Sequence, residues 1–355
     1  MSAGPAGAPA AAAGIHHPFA TPPGPGKAVE IAAGILWMRL PLPMKLDHVN
    51  VYALDDDDGW TLVDTGFDSA RSRALWQALV DGPLAGRAVR RVLVTHHHPD
   101  HVGLAGWFMA RGAELIMTRT AWLMARMLCL DVQPSPPAGT LDFWRAAGMS
   151  PDLLAARAAE RPFNFADCVH PLPPGYTRIA AGGRLRIGGR DWDVTAGHGH
   201  APEHAVLWSG DGDLVIGGDQ LLPGISPNLG VYPTEPQADP VGEWLDSCAR
   251  LALLATPRQL VLPGHKLPFR GLPLRLSQMR DNHLGALDRV HQALSMRPLT
   301  AIGTFPALFR REIGMGEYGL ALAEAVAHIN RLNREGRAVP AGVDDHGGVL
   351  WRAAG

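Results

Sequence analysis

Four side chains able to hold a metal ion, His96, His98, Asp100 and His101, crowd into the run Thr95-His96-His97-His98-Pro99-Asp100-His101. Imidazoles two positions apart in an extended turn can point the same way and share one cation. Asp100 and His101 can turn toward a second. Neutral imidazole combined with carboxylate suits zinc and its neighbours rather than magnesium or calcium. A histidine-rich surface loop is the bland alternative, and for a single histidine it would be preferred. The spacing H-x-H-x-D-H directly behind an apolar strand favours a metal site.

The elements around this run have to position it. Arg90 to Val94 read as a strand with a buried apolar end. Val102 to Arg111 read as a helix that Gly112 can stop. The run therefore occupies a strand-to-helix turn, where α/β proteins concentrate their chemistry. Upstream, Ile35 to Leu40 and Val49 to Leu54 alternate as strands. Asp55 to Gly59 is an acidic hairpin tip without the spacing of a calcium loop. Trp60 to Val63 return from that tip and end in Asp64-Thr65-Gly66, ahead of a helix from Ser69 to Val80. This turn can cap the helix, and it can also offer a partner to the second nitrogen of a ligand imidazole.

Downstream, Glu114 to Met117 form a strand and Ala121 to Leu130 a helix. Residues 131–175 form a proline-rich insertion with helical segments near 141–147 and 152–159. Met124, Met127, Phe143, Trp144, Met149, Phe163 and Phe165 give it a greasy face, which suits a lid over a site or packing on the main core equally. Strands resume at 184–187 and 191–195. A hairpin joins 205–208 to 214–217, Asp239-Pro240 cap a helix to about Ala255, and Gln259 to Leu262 form a last strand.

The run from Thr95 to His101 resembles the signature of the metallo-β-lactamase superfamily. The resemblance implies an α+β fold, a four-layer αβ/βα sandwich with a one- or two-metal centre at the edge of its two sheets. It spans about residues 29–270 and implies further ligands. Gly199-His200-Ala201-Pro202-Glu203-His204 fits the family's third signature, making His200 a ligand. His198 also follows a glycine and competes for that place, but lacks the downstream proline and histidine. Asp219, ending a strand, would bridge two cations, and His265 in Pro263-Gly264-His265 would be the last ligand. Site one then takes His96, His98 and His200, and site two takes Asp100, His101 and His265. Asp64, His198 and His204 would support these ligands from behind. Glu203 stands where relatives often carry glycine and receives no role. Lys266 is a surface charge or a contact for an anionic substrate.

From about Arg275 the pattern becomes helical: one helix to Met296 with Met279, Leu284, Leu287 and Leu294 inward, a short one at 300–308, and one at 317–335. A small hairpin follows at 337–339 and 349–352. Three helices and a hairpin resemble a winged helix, a module that often reads DNA. Ten arginines, no lysine and eight acids from 275 onward leave an excess of only two positive charges, too few for phosphate binding. Packing on the catalytic domain is the expected use. The expected division is a disordered Ala/Gly/Pro tail at 1–27, a catalytic domain at 28–272 and a winged-helix-like domain at 273–355.

Totals narrow the function classes. The 355 residues are 46% hydrophobic and 19% charged with a net charge of −2, which favours a large core and disfavours nucleic acid or anionic membrane as partner. Three scattered cysteines and an N-terminus without a secretory pattern suggest a reducing, cytoplasmic setting. The resemblance, closest to a glyoxalase II-like metal site, implies a binuclear hydrolase. A metal-bridged hydroxide would cleave a thioester, ester or lactone of a small acyl substrate. Asp100 and Asp219 would be the catalytic carboxylates. Zinc is the expected cation, with iron or manganese as alternatives, and a homodimer is left open. A nuclease, or β-lactam hydrolysis as a side activity, are the rival readings.

Overall fold

A computed structural model describes residues 14–355. The strand patterns fold into two sheets that face each other. In the first, β1 (Val29–Ala32), β2 (Ile35–Pro41), β3 (His48–Asp56) and β4 (Gly59–Val63) pair antiparallel. β5 (Val89–Leu93), β6 (Glu114–Thr118) and β7 (Thr177–Ile179) then extend it in parallel. In the second, β8 (Arg184–Ile187), β9 (Arg190–Gly197), β10 (His204–Ser209) and β11 (Leu214–Gly218) run antiparallel, and β12 (Leu260–Pro263) joins β11 in parallel.

Both faces of each sheet are covered, so its strands carry apolar residues on both sides. Ile35, Trp37, Tyr52, Leu54 and Val63 meet Ala205, Leu207, Ile216 and Leu262 between the sheets. Their neighbours Met38, Leu40, Val51 and Leu62 face outward, toward α1 (Ala70–Asp81), α3 (Ala105–Met109) and α4 (Arg119–Leu130). On the second sheet, Val206, Val215 and Val261 face α7 (Pro240–Ala252), α8 (Leu272–Met296) and α10 (Tyr318–Arg334). The result is helix, sheet, sheet, helix: the four-layer α+β sandwich that the resemblance implied.

Several local expectations change. The helix expected over 102–111 is broken into α2 (Pro99–Val102) and α3. Gly103 lies against the carbonyls of Gly66 and Pro99 with no room for a Cβ, and Thr65 Oγ1 accepts the Leu104 N–H at 3.0 Å, pulling the chain out of helical hydrogen bonding. Ser69, not Asp64, caps α1, its hydroxyl accepting the Ser72 N–H at 3.0 Å. The stretch from Gly14 to Lys27 lies within the expected disordered tail, yet His16 pairs with Arg270 through backbone hydrogen bonds and His17 Nδ1 stands 3.1 Å from the Pro268 carbonyl. The main chain after β12 offers it an edge to pair with; residues 1–13 lie outside the described residues.

The insertion divides between two cores. Phe143 and Trp144 on α5 (Ala138–Ala146), with Ala147, Met149 and, on α6 (Pro151–Ala159), Leu153 and Leu154, pack with the C-terminal helices. Phe165 packs on the outer face of the first sheet. Phe163 and Met127 remain exposed. At the C-terminal end, α9 (Phe305–Phe309) and the hairpin of β13 (Ala338–Val343) and β14 (Val349–Ala353) join α8 and α10 in one continuous cluster with the second sheet's outer face. Leu284, expected inward, is 41% exposed, and its neighbour His283 occupies the buried position instead. Among the described residues no helix is long and apolar enough to cross a membrane.

Candidate metal centre

Each proposed ligand leaves the end of a strand at one rim of the sandwich. His96 and His98 follow β5, His200 follows β9, Asp219 follows β11 and His265 follows β12. The carboxyl ends of parallel strands are where such sheets open a crevice. Pro99 at the first position of α2 fixes a turn that sets Asp100 and His101 on the opposite side of the loop from His98.

Seven side chains separated by up to 169 positions in the chain converge there. His98 Nδ1 stands 3.0 Å from His96 Nε2 and 3.0 Å from His200 Nε2, and the latter two are 3.3 Å apart. His265 Nε2 is 3.4 Å from Asp100 Oδ2 and 3.1 Å from Asp219 Oδ2. His101 Nε2 is 3.5 Å from Asp219 Oδ1 and 3.6 Å from Asp100 Oδ2. Buried imidazole nitrogens this close, without hydrogen-bonding geometry to satisfy them all, are the donor set of a cation. His101 Nε2 and Asp219 Oδ1 are enclosed with no hydrogen-bond partner, as expected of atoms that a metal would satisfy. A set of three imidazoles and a set of two imidazoles and a carboxylate, with Asp219 beside both, fit divalent cations of the zinc type.

The electrostatics agree. Burial, reinforced by the neighbouring imidazoles, drives the pKa of His96 and His98 far down, so both rings are neutral and able to ligate. Burial alone would do the same to His101 and His265. The carboxylates of Asp219 and Asp100, joined by Asp64 at His101, outweigh it; they hold His101 well above the ordinary value and push His265 up to about 10. That half of the centre is an excess of negative charge, which protons fill unless a cation displaces them.

The nitrogens that His96, His101, His200 and His265 turn away from the centre are also held, that of His96 by Thr95 Oγ1 at 3.0 Å. Asp64 Oδ2 is 2.7 Å from His101 Nδ1, and Asp64 Oδ1 accepts the Thr95 N–H at 2.8 Å. His265 Nδ1 donates to the His48 carbonyl at 2.7 Å and His200 Nδ1 to the Asn228 carbonyl at 3.0 Å. His204 Nε2 accepts the Asp219 N–H at 3.1 Å, and its ring stacks on His96. His198 stands apart from the ligands. Its Nδ1 accepts the Glu203 N–H at 3.4 Å and its N–H donates to Ser247, so it braces the loop that carries His200. Glu203 reaches the first turn of α4, where its carboxylate accepts the Thr120 N–H at 2.6 Å. Lys266 contributes backbone: its N–H donates to His48 Nε2 at 3.0 Å and its carbonyl accepts from Arg39 at 2.7 Å.

Two supporting residues escaped the sequence reading. Asn50, wholly buried in β3, accepts from Trp37 Nε1 at 2.9 Å and Arg39 Nε at 3.0 Å and donates to the carbonyls of Pro263 and Lys266, both at 2.9 Å. It ties the first sheet to the loop bearing His265. Its signal was an amide inside the apolar run Val49-Asn50-Val51. Asn228, which anchors His200, lies in an irregular segment without any such signal.

Residues 44–265 match the family model of the metallo-beta-lactamase superfamily, and residues 287–351 match that of a metallo-beta-lactamase-like C-terminal domain. A probable metallo-hydrolase of Bacillus subtilis (strain 168), YqjP, is 26% identical over 310 residues, covering 85% of this chain and 92% of that protein. The crystal structure of a beta-lactamase domain protein from Burkholderia ambifaria superposes with a TM-score of 0.88 at 36% identity, over 96% of this chain and 98% of that one. The metallo-beta-lactamase family protein TTHA1429 of Thermus thermophilus superposes at 0.76 with 25% identity, over 91% of this chain and 100% of that one. The matched segment contains every ligand candidate and runs to His265 itself, so the chain belongs to the metallo-beta-lactamase superfamily, as a metal-dependent hydrolase.

Proposed function

We propose that this chain hydrolyses a thioester, ester or lactone of a small acyl substrate at a centre of two divalent cations, zinc by preference. The position of Asp219 carries the reading. Its Oδ2 stands 3.1 Å from His265 Nε2 and 3.5 Å from His200 Nε2, while Oδ1 faces His101 Nε2, so one carboxylate addresses both imidazole sets. His96, His98 and His200 would hold one cation, and Asp100, His101 and His265 the other. Bound there, the ions lower the pKa of water toward neutrality and polarise a carbonyl oxygen.

The chain's own residues supply position and proton handling. Asp100 is the more exposed of the two ligand carboxylates. It orients the attacking water and takes up its proton. Asp64, Asn228 and the His48 carbonyl keep the imidazoles from turning, so the site need not reorganise during the reaction. A thiolate leaves without protonation, so a thioester asks nothing further of the chain. Three cysteines, none in a disulfide, suit the cytoplasm.

Metal analysis combined with turnover on a panel of acyl thioesters, lactones, β-lactams and phosphodiesters tests this. His96→Ala and Asp219→Ala are each expected to lose metal and acyl hydrolysis together. Full turnover by metal-free protein, or turnover confined to phosphodiesters, would falsify the proposal.

A further inference from the structure

Away from the catalytic rim, α8 and α10 meet across a polar contact inside an otherwise apolar interface. His283 on α8 is 1% exposed and His328 on α10 is fully buried. Glu324 precedes His328 by four positions, so the two share one face of α10. One donor atom from each of His283, Glu324 and His328 lies within 4.8 Å of the other two.

The geometry of the two rings is that of ligands. His328 Nδ1 donates to the Glu324 carbonyl at 2.8 Å, which leaves Nε2 as its lone-pair atom. That atom faces His283 Nδ1 at 3.5 Å, beyond the usual length of a nitrogen hydrogen bond. Two nitrogens bound tetrahedrally by zinc at its ordinary bond length stand about 3.4 Å apart. His283 Nε2, on the far side of the ring, is enclosed without a hydrogen-bond partner, so among the described residues the 3.5 Å approach to His328 is this imidazole's one polar contact.

We propose that His283, Glu324 and His328 form a second, structural metal site, for a divalent cation of the zinc class, that clamps α8 to α10. Two imidazoles and a carboxylate are a donor set for that class, and water completes the fourth position on the side of Glu324, the only ligand of the three that is not fully buried. Burial keeps both rings uncharged, pushing His283 down to about 3 and His328 down to about 4, and raises the Glu324 carboxyl to about 7, so the one proton a cation has to displace there is that of Glu324. The clamp is one residue from the catalytic centre. Glu324 Oε2 accepts from Asn228 Nδ2 at 2.9 Å, and the Asn228 carbonyl holds His200. The C-terminal helices thereby set the angle of a catalytic ligand.

This site shares no ligand with the catalytic centre, so it can be tested with that centre impaired. The full chain and its His328→Ala variant are loaded with zinc, in the wild-type background and in Asp219→Ala, and zinc per chain is measured. Loss of about one zinc on His328→Ala in both backgrounds is the expected result, with an anomalous peak between α8 and α10 in zinc-grown wild-type crystals. Should His328→Ala not fold, Glu324→Gln, which keeps the side chain's size, replaces it. Equal zinc content with and without the substitution, and no anomalous peak at that place, would overturn the site and leave a hydrogen-bonded pair of imidazoles.

Discussion

Asp64 shows how much a single carboxylate decides. It ends β4 with a left-handed backbone, φ 61°, a conformation that aspartate tolerates better than most residues. The bend turns its side chain inward, where one oxygen meets His101 Nδ1 and the other takes the Thr95 N–H. Glu203 and Lys266, at φ 48° and 68°, put the same strained conformation beside His204 and His265. Strain of this kind persists where surrounding contacts over-determine it. Asp64→Ala leaves His101 without its outer partner. Metal affinity is expected to fall about 10–100-fold with the fold intact, as measured by zinc competition and circular dichroism. Unchanged affinity would mean that His101 is oriented by its other contacts alone.

At the scale of elements, the site is a seam between two sheets, and Asn50 is its stitch. Every polar atom of its side chain is used, and the Asn50 N–H donates to the Gly264 carbonyl at 2.6 Å. Tyr52 Oη reinforces the same strand end by donating to the Pro263 carbonyl at 2.8 Å. Gly264 has to be glycine for this closeness: a Cβ there would collide with Asp219 and His101. Asn50→Ala strands the buried indole N–H of Trp37 and takes one donor from each of the Pro263 and Lys266 carbonyls, which Tyr52 and Arg39 still serve. We expect a loss of about 3 kcal/mol in urea unfolding and weaker zinc binding, since His265 sits on the loosened loop. Asn50→Asp, which keeps the acceptor but not the donors, should fall between alanine and the parent in both measurements.

Over the whole molecule, the C-terminal helices belong to the same core as the second sheet. Val206, Val215 and Val261 pack in one cluster with Leu276, Leu287, Leu322 and Ile329. A boundary drawn before α8 therefore follows the change of pattern in the chain but cuts through continuous packing. Leu287→Ala, at the centre of this cluster, is expected to cost about 3 kcal/mol. The loss should appear in one cooperative transition, seen alike by tryptophan fluorescence and by loss of bound metal. Two separated transitions would show that the C-terminal region unfolds on its own. The insertion follows the same logic, because α5 and α6 lend their aromatic and leucine side chains to this cluster.

The strands and the run from His96 to His101 are legible in the sequence itself; the four layers and the places of His200, Asp219 and His265 are legible only through the resemblance to the metallo-β-lactamase superfamily which that run carries. Strand periodicity is written locally, and the candidate ligands stand where apolar strands break off into short runs of histidine, aspartate and glycine. The supporting atoms were not legible. Asn50 acts on carbonyls more than 200 positions away, Asn228 works through its backbone oxygen, and the broken helix at Gly103 answers to Gly66 and Thr65. The pairing of His283 with His328 depends on how two helices cross, which neither helix encodes alone. Only the tertiary structure decides such contacts, because a hydrogen bond or a shared ion depends on distances between segments, whereas a sequence pattern records the preferences of one segment at a time.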